Sequence, residues 1–175
     1  MANFIYTGLK KATFYPILED GTLDTANPIE LGKIYQDTLK GTRADDTVQD
    51  HFAEGEPENP AESFSTKGVK TITLQLMQII PEAVAAIFGG TITTVDGKKV
   101  WKEPRDTPQV YLGAEFETKN GLIKRYNRLK VSAKENDNYM ANQLMLIDVS
   151  MRVLNPMVAS LGPSETVWPE TVTTP

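Results

Sequence analysis

His51 is the single histidine of the chain, and so the one side chain whose ordinary pKa suits it to proton transfer near neutral pH. It lies in VQDHFAEGEPE, away from any strand-to-helix elbow, and no GxSxG nucleophile motif accompanies it. It therefore reads as a solvated loop histidine. Around it Asp45, Asp46, Asp50, Glu54, Glu56 and Glu58 are of the type that holds a hard cation, but they lack the D-x-D-x-D-G register and its closing Glu. They read instead as a solvated or partner-facing acidic segment. Gly89-Gly90-Thr91 is followed by no Lys-Ser/Thr and is preceded, not followed, by a helical stretch, so it marks a helix stop and not a phosphate cradle. The absence of Cys removes disulfides, thiol catalysis and Cys-ligated zinc, and one His cannot make a two-His metal site. Carboxylates elsewhere are scattered and define no acid/base pair. Trp101 and Trp168 read as hydrophobic anchors before ligand platforms. No catalytic group, metal or cofactor is indicated, and the chain is expected not to be an enzyme.

Charge is the more informative pattern. Residues 43–62 hold seven acids and one base, whereas residues 118–134 hold six bases and no acid. The whole chain carries −5 with a pI near 5.0, a field that repels a phosphate backbone and disfavours general nucleic-acid binding. Within the basic block Lys124, Tyr126, Arg128 and Lys130 share a parity, so they are expected to project from one face as a cationic row with an aromatic in it. Three readings follow: a solvated outer face, a receptor on which the acidic segment of a neighbouring subunit docks head to tail, and, third because the acidic remainder of the chain opposes it, a nucleic-acid contact.

The elements that must position these residues are mostly strands. The chain has 175 residues, 40% of them apolar, which suits one soluble globular domain. Thr, Val and Ile supply 42 of the 175, a bias towards pleated, half-buried surfaces. In KTITLQL, Ile72, Leu74 and Leu76 alternate with polar residues. Val110, Leu112, Ala114 and Phe116 do the same in VYLGAEFET, as do Ile147, Val149, Met151 and Val153 in LIDVSMRVL. Asp96-Gly97 and Asn120-Gly121 predict tight two-residue hairpin turns, the second leading into a long strand over residues 122–134. Further strands are expected at residues 3–7, 10–18 and 33–40. Pro81 and Glu82 open a short helix over residues 81–88 that Gly89-Gly90 closes. Residues 41–68 show little periodicity and read as one long acidic excursion. The Pro-containing segment 157–175 reads as an extended C-terminal arm. The longest mostly apolar run, residues 83–88, is far too short to span a bilayer, and the start MANFIYTGLKK has no apolar signal core, so neither membrane insertion nor Sec export is expected.

The order of these pieces resembles the major tail-tube proteins of bacterial viruses and the related tubes of contractile injection systems. The pieces are KIYQDTLKGT, an acidic arm with EPENPAESFSTKG, the strand KTITLQLMQI, the helix PEAVAAIFGG, a hairpin ending in VW, the Asn120-Gly121 hairpin and a closing VLNP, over residues 3–156. The resemblance implies a mainly β fold, an antiparallel β-sandwich or flattened β-barrel with one short flanking helix and a long loop. It further implies a non-enzymatic subunit that self-assembles into stacked hexameric rings, with DNA passing through the lumen without specific binding. Its partners would be itself and other tail proteins, and its location the virion tail after assembly in the host cytoplasm. The segment 41–68 would be an inter-subunit element. The basic strand as its receptor is inferred from charge alone. A monomeric β-sandwich module for ligand binding or adhesion, using exposed Trp and Tyr, is the alternative reading of the same sequence.

Overall fold

A computed structural model describes residues 7–55, 58–137, 139–140 and 142–169. The fold is mainly β: antiparallel, sandwich-like, with one short flanking helix. Its frame comprises β1 (Leu9–Pro16), β2 (Lys40–Arg43), β5 (Lys70–Leu76), β8 (Val110–Thr118), β9 (Ile123–Asn136), β10 (Leu146–Val153) and β11 (Ser164–Val167). Between them stand β3 (Thr47–His51), β4 (Glu62–Thr66), α1 (Pro81–Phe88), β6 (Thr91–Val95) and β7 (Lys98–Lys102). The main sheet runs β1-β8-β9-β10-β5-β2, with β11 added beside β9, while β3-β4 and β6-β7 form separate two-stranded sheets.

The period-two pattern decides which face is inside. Ile72, Leu74 and Leu76 meet Ile147, Val149 and Met151 across the β5–β10 ladder, and all are buried, with Phe14, Leu112, Ala114 and Leu129 closing the same core. Their polar alternates, Thr73, Gln75, Asp148 and Ser150, form the opposite face, where Gln75 Nε2 donates to Asp148 Oδ1 at 2.6 Å. Helix α1 begins at Pro81, as the sequence predicts, and buries Ala83, Val84 and Ile87; Gly89 and Gly90 at φ 76° and 88° end it. Among the described residues no helix is long and apolar enough to cross a membrane.

Several sequence expectations change. The strand expected over 33–40 does not form, because Asp37 takes a left-handed φ of 61° and Thr38 Oγ1 donates to the Tyr35 carbonyl at 2.6 Å, making a turn. Only Ile34 bridges Leu76 before β2 begins at Lys40. Of the strand expected at 3–7, residues 3–6 lie outside the described residues and Thr7 is not in a strand. Asp96 and Gly97 both have positive φ and join β6 to β7 in two residues, as expected. The Asn120-Gly121 turn is one residue longer than predicted. Thr118 N–H donates to the Leu122 carbonyl, and in this turn only Gly121 has a positive φ, of 83°. The C-terminal arm runs back as β11, pairing Ser164–Val167 with the start of β9.

Candidate assembly interface

The acidic excursion is a β-hairpin standing off the body. Residues Thr47 to His51 pair with Glu62 to Thr66, and every residue of both strands is exposed. Its base is fixed: Ala44 N–H donates to the Val69 carbonyl at 2.9 Å, and Gly68 N–H donates to Asp46 Oδ1 at 2.8 Å. Glycine is required at 68, since a Cβ there would run into the Ala44 carbonyl oxygen where the chain leaves and returns. Directly opposite residues of an antiparallel pair share a face. Gln49 opposes Phe64, and Val48 opposes Ser65, so Phe64 and Val48 lie on opposite faces of the hairpin. Phe64 is 58% exposed, and Val48 and Phe52 are exposed as well. Asp45, Asp46, Asp50, Glu54 and Glu58 are spread along this arm, all exposed, with Ser63 Oγ donating to Asp50 at 2.6 Å. Glu56 lies outside the described residues. The His51 ring meets the Phe64 ring edge-on at 5.5 Å, and no cluster of three or more His, Asp or Glu able to hold a metal occurs among the described residues.

The cationic row expected on the basic strand is not a row. Leu112 pairs with Leu129 and Ala114 with Tyr126, so two residues of β9, Asn127 and Arg128, oppose Gly113 alone. This bulge reverses the parity of the strand. Tyr126 is 4% exposed and packs in the core, its ring 5.9 Å from Phe116, which in turn meets Phe14 at 5.8 Å. Lys124 shares the Tyr126 side of the strand. Arg128 and Lys130, beyond the bulge, alternate with the buried Leu129 and Val131 and lie on the outer face. There the Arg128 guanidinium stacks 4.8 Å from the Tyr111 ring centroid, and Lys130 stands opposite Arg152. Arg125 is neutralised by Glu115, with two bonds of 3.0 and 2.9 Å to one carboxylate oxygen.

The fold gathers a different set of cations. Strands β1 and β2, the two ends of the sheet order, both line one open groove, so the sheet curls back on itself and leaves a mouth between its edges. The groove holds about 1040 Å³. Its floor includes Leu9, Ile72, Phe116 and Tyr126, and Lys40, Lys70, Lys119 and Lys124 line it against one acid, Asp37. Lys70 Nζ sits 4.7 Å from the Tyr126 ring centroid, a cation–π contact across the curl. Lys40 and Lys70 lie outside the basic block and were invisible as partners in the sequence, because curling of the sheet, not spacing along the chain, brings them to Lys124. Trp101 is an anchor, as expected: its Nε1 donates to the Gly89 carbonyl at 2.8 Å and its ring lies 6.0 Å from Phe88. Trp168 is 60% exposed, and the anchor reading does not hold for it.

Elsewhere the perturbed acids are peripheral. The Lys99 ammonium, hydrogen-bonded to Glu82, holds that carboxyl below its usual range. Glu135 is pushed up, first by burial and then by Asp137 and Glu103. Neither faces the groove. No protein-family model matches the chain, and a search of curated proteins finds no match either.

Proposed function

We propose that this chain is a non-enzymatic structural subunit of a phage or phage-like tail tube, self-assembling into stacked hexameric rings whose channel delivers DNA. One observation carries the reading: the hairpin of β3 and β4 bears apolar side chains on both faces and, among the described residues, pairs with no other strand. An isolated two-stranded hairpin is at best marginally stable in water, and exposed Phe64, Phe52 and Val48 cost solubility unless a partner covers them. A monomeric binding module would fold such an arm on its own body. A subunit that joins others keeps it free until a neighbour arrives, when burial of the aromatics stabilises the contact. The element order, with its single helix and its closing strand, supports the tail-tube form of assembly over other self-associating β proteins. The net acidity of the chain suits a lumen to which DNA does not adhere. In this role the subunit resides in the virion tail, after assembly in the host cytoplasm with other tail proteins.

Negative-stain electron microscopy of the concentrated protein, at low and moderate salt, tests the proposal. Rings or tubes with an axial hole are expected. Monomer-sized particles at every concentration, confirmed by sedimentation, would overturn self-assembly and favour the ligand-binding alternative.

A further inference from the structure

We propose that the lysine-lined groove between β1 and β2 is the receptor for the acidic β3–β4 hairpin of a second copy of this chain, an inference that rests on the self-assembly reading above. Four ammonium groups with one carboxylate line the groove, and among the described residues none of the four is ion-paired. A surface of that charge over an apolar floor fits a ligand that is at once anionic and aromatic. The arm is such a ligand: residues 43–62 carry seven acids, and Phe64 and Val48 project from opposite faces. A hairpin apolar on one face lies on a flat surface, whereas one apolar on both faces is fully covered only inside a groove. At about 1040 Å³ the groove matches or exceeds the roughly 300–1,000 Å³ of small-molecule sites, which suits side chains of a peptide segment.

The occupant is another copy because the chain's own arm does not lie there. The Asp46–Gly68 and Ala44–Val69 bonds close the base of the hairpin, and beyond them its strand residues are all exposed, covered neither by the groove nor by the rest of the body. Arm and groove are different surfaces of one molecule, so each subunit offers both a ligand and a receptor. Such a heterologous contact propagates into rings or stacks, as assembly requires. The groove also replaces the Lys124, Tyr126, Arg128, Lys130 row as the receptor, since the bulge in β9 leaves only Lys124 of that row with a free cation in the groove.

The cysteine-free chain permits a direct test. Ser65→Cys places one thiol on the arm, and Gln36→Cys, in a second, isotopically labelled preparation, places one at the groove. Mixed and treated with a short bis-maleimide, the two should form a species that mass spectrometry maps to the arm peptide of one copy joined to the groove peptide of the other. Its yield should fall at least tenfold at high salt and in Lys119→Glu/Lys124→Glu, a pair of exposed side chains whose reversal is expected to leave the circular-dichroism spectrum unchanged. Lys40→Glu in the same background serves as an independent second variant. Wild-type rings without an arm-to-groove link, or a link that survives charge reversal, would overturn the groove and leave self-assembly standing. A groove thiol linked only to its own copy, for instance to residues 1–6, would overturn it likewise. Absence of both rings and link would overturn both readings.

Discussion

Asn127 donates from Nδ2 to Glu165 Oε1 at 3.0 Å, and the same nitrogen donates to the Gly162 carbonyl at 2.8 Å. The pair ties the bulge of β9 to the C-terminal strand β11. Asn127 is 3% exposed and reaches those partners because the bulge interrupts the ladder to β8 at this point. Reversal of β9's parity and docking of β11 are thus parts of one local arrangement.

Replacing Asn127 by Ala removes two hydrogen bonds at half-buried partners, the Gly162 carbonyl and Glu165, the latter still within reach of Arg125 at 3.8 Å. The expected cost is about 0.5–1.5 kcal/mol for each bond lost. Urea unfolding should show a lower midpoint with unchanged slope. Limited proteolysis should cut the segment preceding β11 faster than in wild type, because that segment is held from Asn127.

Gly113 is the residue that faces the bulge, and a Cβ on it would collide with the Leu23 side chain. Gly113→Ala should destabilise the fold by about 1–3 kcal/mol through overpacking. Leu23→Ala should also destabilise, but the double variant should be less unstable than the sum of the singles, since the shortened side chain vacates the space. A double-mutant cycle from chemical unfolding measures this coupling. Strict additivity would mean that Gly113 is needed for the backbone of the bulge instead.

Sequence reading reached far into this fold where one rule acted alone. Alternation located β5, β8 and β10 with their inward faces, and Pro81 with Gly89-Gly90 bounded α1. It failed where a non-local contact overrode a local pattern. The parity of Lys124, Tyr126, Arg128 and Lys130 is sound for a continuous strand, but a single extra residue opposite Gly113 inverts it. The β3–β4 hairpin was illegible because its strands carry Asp50 and Glu62 among few apolar residues, so no buried face imprints a period on them. The groove needed the curl of the whole sheet, which puts Lys40 and Lys70 beside Lys119 and Lys124.

Trp101 and Trp168 differ enough to serve as separate probes. Trp168→Phe should leave a blue-shifted emission from Trp101, and Trp101→Phe a red-shifted one from Trp168, which is largely exposed. Trp101→Phe should also cost about 1 kcal/mol for the lost hydrogen bond to Gly89. Hydrogen exchange should then quicken in β6 and β7, the hairpin that Trp101 holds against α1.

Glu82 and Glu135 should act on stability with opposite signs. The Glu82 carboxyl lies below its ordinary value of 4.5, so its contribution is complete above that value and is lost as pH falls through the depressed one. Glu82→Gln should therefore be slightly less stable than wild type at neutral pH and converge with it in acid. Glu135 lies above 4.5 through burial and neighbouring acids, so its charge costs stability once pH rises past the raised value. Glu135→Gln should be slightly more stable at neutral pH and again converge below the ordinary range. Thermal unfolding across the acid range reads both, and a common direction for the two variants would contradict the assignment.

The arm separates stability from assembly. Phe64 is exposed on a hairpin that, among the described residues, pairs with no other strand, so Phe64→Ser should change the unfolding free energy of the isolated subunit by no more than about 0.5 kcal/mol, as for surface sites generally. The same change removes an aromatic that the proposed contact would bury, which is worth about 1.5–3 kcal/mol for a side chain of this size. Each subunit uses the contact once, so the critical concentration for assembly should rise at least tenfold. Amide exchange in β3 and β4 supplies an independent reading. The hairpin bonds are solvated in the subunit and should exchange rapidly, then become protected in the assembled state of wild type at equal salt. In the Phe64→Ser protein that protection should appear only above the raised critical concentration. Protection already present in dilute wild-type monomer would mean that the arm folds onto its own body, and the case for it as a free connecting element would fail.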